Sequence, residues 1–265
     1  SAGKLLIAAV VPGLVLATVY AIYFIGRARL QPHLAPAYDV EGITMRARFR
    51  TLRHLIPLSA LMVVVTGFIF LGIATPSETA AMGAVASAMM AAAYGRLDWS
   101  VIRVSIVATV HTTAMVFMII VGSKAYAQLL AITGAAAGFV EFFTTQQLTP
   151  ILMVIGMNII VMILGCFIDQ LSIMLITVPI FMPIVAKLGL DPIWFSVILL
   201  VNLELAGITP PFGLQLFVMK GVRPTLKMTD IYVAAVPIIF LQVLVIGLLM
   251  VFPPLTTWLP GLMLR

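Results

Sequence analysis

Apolar residues run in long blocks along this chain, and the few charged positions fall between the blocks. A first run covers Leu5 to Ile25 and gives way to a polar stretch from Arg27 to His54. Leu55 to Ala74 follows, then a break at Thr75-Pro76, then a small-residue run from Ala80 to Gly95. Val104 to Ile132 is long enough to cross a bilayer, which takes about 20 residues, and it ends in the small-residue string Gly134 to Gly138, which lets helices approach closely. Ile151 to Gly165 and Leu171 to Ala186 are each about 15 residues, short for a crossing at ~1.5 Å per residue. The polar string Cys166 to Gln170 stands between them, and this pattern predicts a re-entrant helical hairpin. Ile193 to Met219 has the length of a span but is interrupted from Gly207 to Gly213, which predicts a broken helix. Ile231 to Phe252 is the last span, with Trp258 placed as an interfacial anchor. The chain thus divides into a first helix and basic loop (1–54), helices around the Thr75-Pro76 break (55–147), the hairpin and broken helix (148–220), and a last helix with its tail (221–265).

Composition turns these runs into membrane segments. The 265 residues are 63% hydrophobic and 9% charged, whereas soluble domains carry about 25% charged residues; mean hydropathy is +1.20. The fold class expected is an all-α integral membrane protein. A signal peptide would account for one apolar run only. The opening Ser1-Ala2-Gly3-Lys4 has no initiator Met, as expected of a chain processed or cut from something longer.

The net charge of +6 does not point to nucleic acid, because the basic residues gather in short loops. Arg27, Arg29, Arg46, Arg48, Arg50 and Arg53 face only Asp39 and Glu41, which puts that loop in the cytoplasm. Arg96, Arg103, Lys220, Arg223 and Lys227 are expected there too, and Gly189 to Pro192 on the outer side. The single cysteine, Cys166, supports neither a disulfide framework nor a cysteine metal site and reads as a packing residue.

Irregular backbone at membrane depth survives only where protein or water covers it, so the breaks carry the chemistry. Pro210 and Pro211 bring no N–H donors, and carbonyls released beside the Thr209 hydroxyl suit a dehydrated Na⁺, as at unwound helix ends in transporters. The alternative is a kink held by neighbouring helices. Asp169, a carboxylate between two apolar arms, can face such a site, take part in proton coupling, or cap the second arm. If the hairpin tip meets the break, Gly165, Asp169, Gly207 and Thr209 form the ion site. The helix start near Ser172 then offers its dipole to an anionic substrate. Asn202 and Glu204, two apart, do not share a face, so one can line the pathway while the other pairs; Ser172 and Asn202 are taken as the substrate-binding residues. Glu78 reads as a first-turn structural acid, Lys124 as a snorkelling or paired lysine, His111 as a hydrogen-bonded packing residue, and Asn158 as interhelical glue.

These strings resemble a known family. Gly72-Ile-Ala-Thr-Pro-Ser-Glu-Thr-Ala-Ala81 resembles the Gly-x-x-Thr-Pro-Thr-Glu-Ala motif of the large membrane subunit (DctM type) of tripartite ATP-independent periplasmic (TRAP) transporters. Leu164 to Met174, with Pro179 to Pro183 behind it, is similar to that family's second hairpin. Gly189 to Pro192 and Asn202 to Gly213 match its following loop and broken helix. Ser77 stands where Thr is common, and Phe212 where Val is common. The resemblance implies a Na⁺-coupled importer of organic acids in the bacterial inner membrane, fed by a periplasmic solute-binding protein and completed by a small membrane subunit. It implies no cofactor beyond Na⁺ as coupling ion. It also implies an elevator-type transporter of two inverted repeats, of which this chain is the second: Pro12-Gly13 resembles the end of the first, and the first repeat's own motifs are absent.

Three rivals are weighed against this reading. An intramembrane protease needs a second Asp facing Asp169, or a Ser/His or metal constellation, and the spans contain no such set. A non-transporting scaffold needs neither a polar hairpin tip nor a Thr-Pro-Pro break. A binding-protein-independent Na⁺/anion symporter of related fold differs in its response to an added binding protein.

Overall fold

The computed structural model describes residues 2–34, 45–135, 138, 141, 149–211 and 213–262. Asp39, Glu41, Gly134–Gly138 in part, and Phe212 thus lie wholly or partly outside the described residues, as do the side chains of Arg46, Arg48, Arg50 and Arg53. The described residues form α-helices and one short 3₁₀ turn, Pro32–Leu34, with no strand among them. The helices are α1 (Ala2–Ala8), α2 (Val10–Leu30), α3 (Met45–Phe70), α4 (Pro76–Ala93), α5 (Trp99–Ile132), α6 (Pro150–Gly165), α7 (Gln170–Lys187), α8 (Pro192–Gly207), α9 (Leu214–Val222), α10 (Met228–Val251) and α11 (Pro254–Leu262).

Four of them are long and apolar enough to cross a membrane: Gly3–Leu30 taken as one span, α5, α7 and α10. The crossings expected from the sequence at Leu55 to Ala74 and Ala80 to Gly95 are not among these four, and the second hairpin arm differs from its expected length. The second hairpin arm gains Gln170 and Lys187 at its ends, and at 18 residues it reaches spanning length. Leu55–Phe70, α6 and α8 are shorter apolar helices.

The chain forms two compact units. The first holds residues 1–7 and 24–114. Here the chain turns out of α3 at Gly72, whose φ of 67° suits a residue without Cβ, and Thr75 caps α4. The Thr75 Oγ1 accepts from the Glu78 N–H at 3.3 Å, and a Glu78 carboxylate oxygen accepts from the Thr75 N–H at 2.8 Å. This reciprocal box satisfies two orphan donors of the helix start, with Pro76 at a position where no N–H is needed. Glu78 is therefore structural, as its sequence position suggested. Gly83 lets α4 close on α3, since a Cβ there would meet Val65 at 3.2 Å.

The second unit holds residues 8–23 and 115–265. Its core joins α6, α7, α8 and α10 through Val154, Val161, Ile173, Val185, Phe195, Ile198, Val245 and Leu249, all at most 1% exposed. Phe181 and Phe195 meet edge to face, with ring centroids 6.3 Å apart. Polar groups inside this core are bonded to backbone and to one another. The Trp194 indole donates to the Leu249 carbonyl at 2.8 Å. Gln242 donates to the Val201 carbonyl at 2.9 Å and accepts from the Tyr20 hydroxyl at 3.0 Å. Pro179 sits inside α7 and cannot supply the N–H that the Leu175 carbonyl would take one turn earlier. The Ser123 hydroxyl from α5 donates to that carbonyl instead, at 2.5 Å.

α5 buries none of its side chains. His111 is exposed on it, not packed as the sequence suggested, and Lys124 is exposed as well.

Candidate functional site

The two irregular segments of the second unit meet. α6 ends at Gly165, and a four-residue turn, Cys166 to Asp169, reverses the chain into α7. α8 ends at Gly207, and Ile208 to Gly213 leads into α9, with a cis peptide between Pro210 and Pro211. The hairpin tip meets the end of α8 and the break behind it at three points. A Cβ on Gly165 would lie 2.0 Å from the Ala206 Cβ and 2.8 Å from its Cα, so only glycine permits this crossing. The Cys166 thiol donates to the Pro210 carbonyl at 3.2 Å. The Gln170 amide donates to the Leu203 carbonyl at 3.0 Å.

The start of α9 closes on the same point. A Cβ on Gly213 would come within 2.9 Å of the Gly207 carbonyl oxygen. The Gln215 amide donates to Glu204 at 3.2 Å, bridging the break. Tyr232 on α10 donates to the Pro211 carbonyl at 2.7 Å. Four helix ends therefore adjoin residues 206–207: the C-termini of α6 and α8, and the N-termini of α7 and α9. Each C-terminus carries partial negative charge and each N-terminus partial positive charge. Such a junction suits a cation on one side and an anion on the other.

Gly165, Gly207 and Thr209 stand at this crossing. The Thr209 hydroxyl donates to the Leu205 carbonyl at 2.7 Å. With its proton committed, the oxygen presents only lone pairs, which is what a hard cation requires. The Thr209 carbonyl accepts from the Gly213 N–H at 3.1 Å, and its own N–H donates to the Ala206 carbonyl at 3.2 Å.

Asp169 and Ser172 are bonded to one another at the first turn of α7. Asp169 is the N-cap: one carboxylate oxygen accepts from the Ser172 N–H at 3.1 Å, and the other from the Ser172 hydroxyl. Asn202 lies deeper, 2% exposed, on α8. Its amide donates to both the carbonyl and the side-chain oxygen of Asn158, at 2.7 and 2.9 Å, while Asn158 donates to the Val154 carbonyl at 2.8 Å. The pair keys α6 to α8, as the glue reading of Asn158 anticipates, and borders a cavity of about 270 Å³ with Ile155, Met162, Val243 and Met250. Thr177 spends its hydroxyl on the Ile173 carbonyl at 2.8 Å.

Gln170 and Gln215 escape a reading of the sequence. Both lie beside residues that attract attention for stronger reasons, and no periodicity says that two side chains 45 positions apart converge on one glycine. The one available signal is that each is polar and adjoins a break.

Residues 1–255 match the model of the family described as the tripartite ATP-independent periplasmic transporter, DctM component. The chain is similar to a C4-dicarboxylate TRAP transporter large permease protein DctM of Pseudomonas aeruginosa, 34% identical over 225 residues, covering 84% of this chain and 51% of the relative. A protein of that same description from Rhodobacter capsulatus is 32% identical, over 99% of this chain and 59% of its own length. A sialic acid TRAP transporter large permease protein of Vibrio cholerae is 28% identical, over all of this chain and 61% of its own. The chain thus spans between half and about three-fifths of the length of these relatives.

Proposed function

Because the chain belongs to the DctM family of tripartite ATP-independent periplasmic transporters, whose members are all-α integral proteins of the inner membrane, we propose that it is a permease part of a Na⁺-coupled secondary importer of organic acids. The observation that carries this reading is the junction of four helix ends at residues 206–207, with glycine at every tight approach. Gly165, Gly207 and Thr209 supply oxygen to Na⁺, and Asp169 adds negative field from the tip. For the anionic substrate we assign Ser172 at the start of α7 and Asn202 beside the neighbouring cavity; Asp169 holds the Ser172 N–H and hydroxyl and Asn158 holds the Asn202 amide, so substrate engages them by exchanging those bonds. Carboxylate chemistry fits both the dicarboxylate and the sialic acid relatives by their descriptions. We read the chain as the second of two inverted repeats, in which hairpin and broken helix move together against a scaffold. Its partners are a small membrane subunit and a periplasmic solute-binding protein, and it is not an enzyme.

The test is uptake by the complete transporter carrying this chain, reconstituted in vesicles. An inward Na⁺ gradient and added binding protein are both expected to be required. Uptake that persists without binding protein selects the simpler symporter, and no uptake of any carboxylate under either condition sinks the importer reading.

A further inference from the structure

We propose that Gln170 is a positioning residue, whose side-chain amide clamps the hairpin tip over Gly207 and fixes the backbone that supplies oxygen to the ion. The inference rests on the reading of this crossing as the Na⁺ site, and names a residue outside the oxygen ligands assigned above.

Three observations carry it. Gln170 is the first residue of α7, so its backbone moves with the tip turn. Its amide nitrogen reaches across to the Leu203 carbonyl at 3.0 Å, one turn before the end of α8. A Cβ built on Gly207 would come within 2.8 Å of that nitrogen and 3.3 Å of the Gln215 amide nitrogen. Gly207 is therefore roofed by two amides, one from the hairpin and one from the helix beyond the break. Gln215 is itself held by Glu204 at 3.2 Å, which leaves Gln170 as the member that ties the roof to the other segment. Gly165 against Ala206 fixes how close the tip approaches but resists only compression. A directional bond such as that from Gln170 also resists sliding along α8. Loose oxygens must be gathered before they can hold an ion, so loss of the clamp weakens Na⁺ binding while leaving the loaded state able to turn over.

The test uses the complete transporter in vesicles. Gln170→Leu keeps the bulk and removes the donor. The half-saturating Na⁺ concentration is expected to rise about fivefold, with the maximal uptake rate near native. A merely space-filling role, which Leu preserves, leaves that Na⁺ dependence where it was. Hydrogen exchange over residues 203–211 in the purified protein gives a readout that needs no transport, and is expected to be faster in Gln170→Leu. Unchanged Na⁺ dependence in Gln170→Leu or native exchange at 203–211 overturns the clamp. A shift in Thr209→Val with none in Gln170→Leu removes the clamp and leaves the ion site standing. Native uptake indifferent to Na⁺ removes both.

Discussion

Gly165 and Ala206 touch so closely that a methyl group on the glycine would fall 2.0 Å from the Ala206 Cβ. The hairpin tip thereby rests on the end of α8 with no side chain between the two backbones. Every other contact of the crossing depends on that approach.

Gly165→Ala is expected to pry the tip away, at a cost of about 1–3 kcal/mol from overpacking. Thermal unfolding of the purified protein measures it as a lowered midpoint. Ala206→Gly in the same molecule should return part of the loss, because the Ala206 Cα would remain 2.8 Å from the new methyl. A double variant no more stable than Gly165→Ala alone would show that the strain arises elsewhere.

Thr209→Val preserves shape and removes the hydroxyl whose proton is spent on the Leu205 carbonyl. The Na⁺ concentration for half-maximal uptake is expected to rise roughly tenfold or more, from loss of a charge-assisted contact. An unaltered Na⁺ dependence would return the Thr-Pro-Pro break to the role of a plain kink.

Gly207→Ala places a methyl 2.8 Å from the Gln170 amide nitrogen and should displace it. Its Na⁺ dependence is then expected to match that of Gln170→Leu. Combining the two should add little, since both break one contact; additive losses would mean that they act separately.

Ser123→Ala strands the Leu175 carbonyl, which Pro179 cannot serve. The expected destabilisation is about 1 kcal/mol for a part-buried acceptor that loses its partner. Pro179→Ala restores an N–H within α7, so the cost of losing Ser123 should shrink in that background. Equal costs in the two backgrounds would disprove the exchange of donors.

Topology is open to labelling after Cys166→Ser. A cysteine at Leu190 should react from the outer side only, and one at Val222 from the cytoplasmic side only. Reaction of both from one side would contradict the arrangement derived from Arg223 and Lys227.

The breaks were legible because Pro and Gly act locally. Thr75, Pro76 and Glu78 fall in the order that a capped helix needs, and Asp169 before an apolar run announces a cap. The ends of α6 and α8 sit where glycine stands in the sequence. What joins the segments was not legible. Gln170 reaches 33 positions along the chain and Ser123 reaches 52, and such pairings leave no trace in periodicity. His111 misleads for a related reason: its helix is apolar enough to look like core, yet exposed and buried helices of a membrane protein share that composition. Gln170 also lengthens the second arm, because the N-cap at Asp169 starts helix one residue before the apolar run.

The junction at residues 206–207 has an electrical consequence. Each helix end is equivalent to about half an elementary charge, and two ends of either sign meet there, so the helix ends cancel and the carboxylates of Asp169 and Glu204 set the sign of the bare junction. A bound cation offsets that negative charge, whereas an anion arriving without it deepens the imbalance. Charge imbalance in a medium of low permittivity costs several kcal/mol per ion. A crossing loaded with anion alone is thus the arrangement least able to travel through the bilayer. The order of loading would then follow from charge, with no separate gate to enforce it.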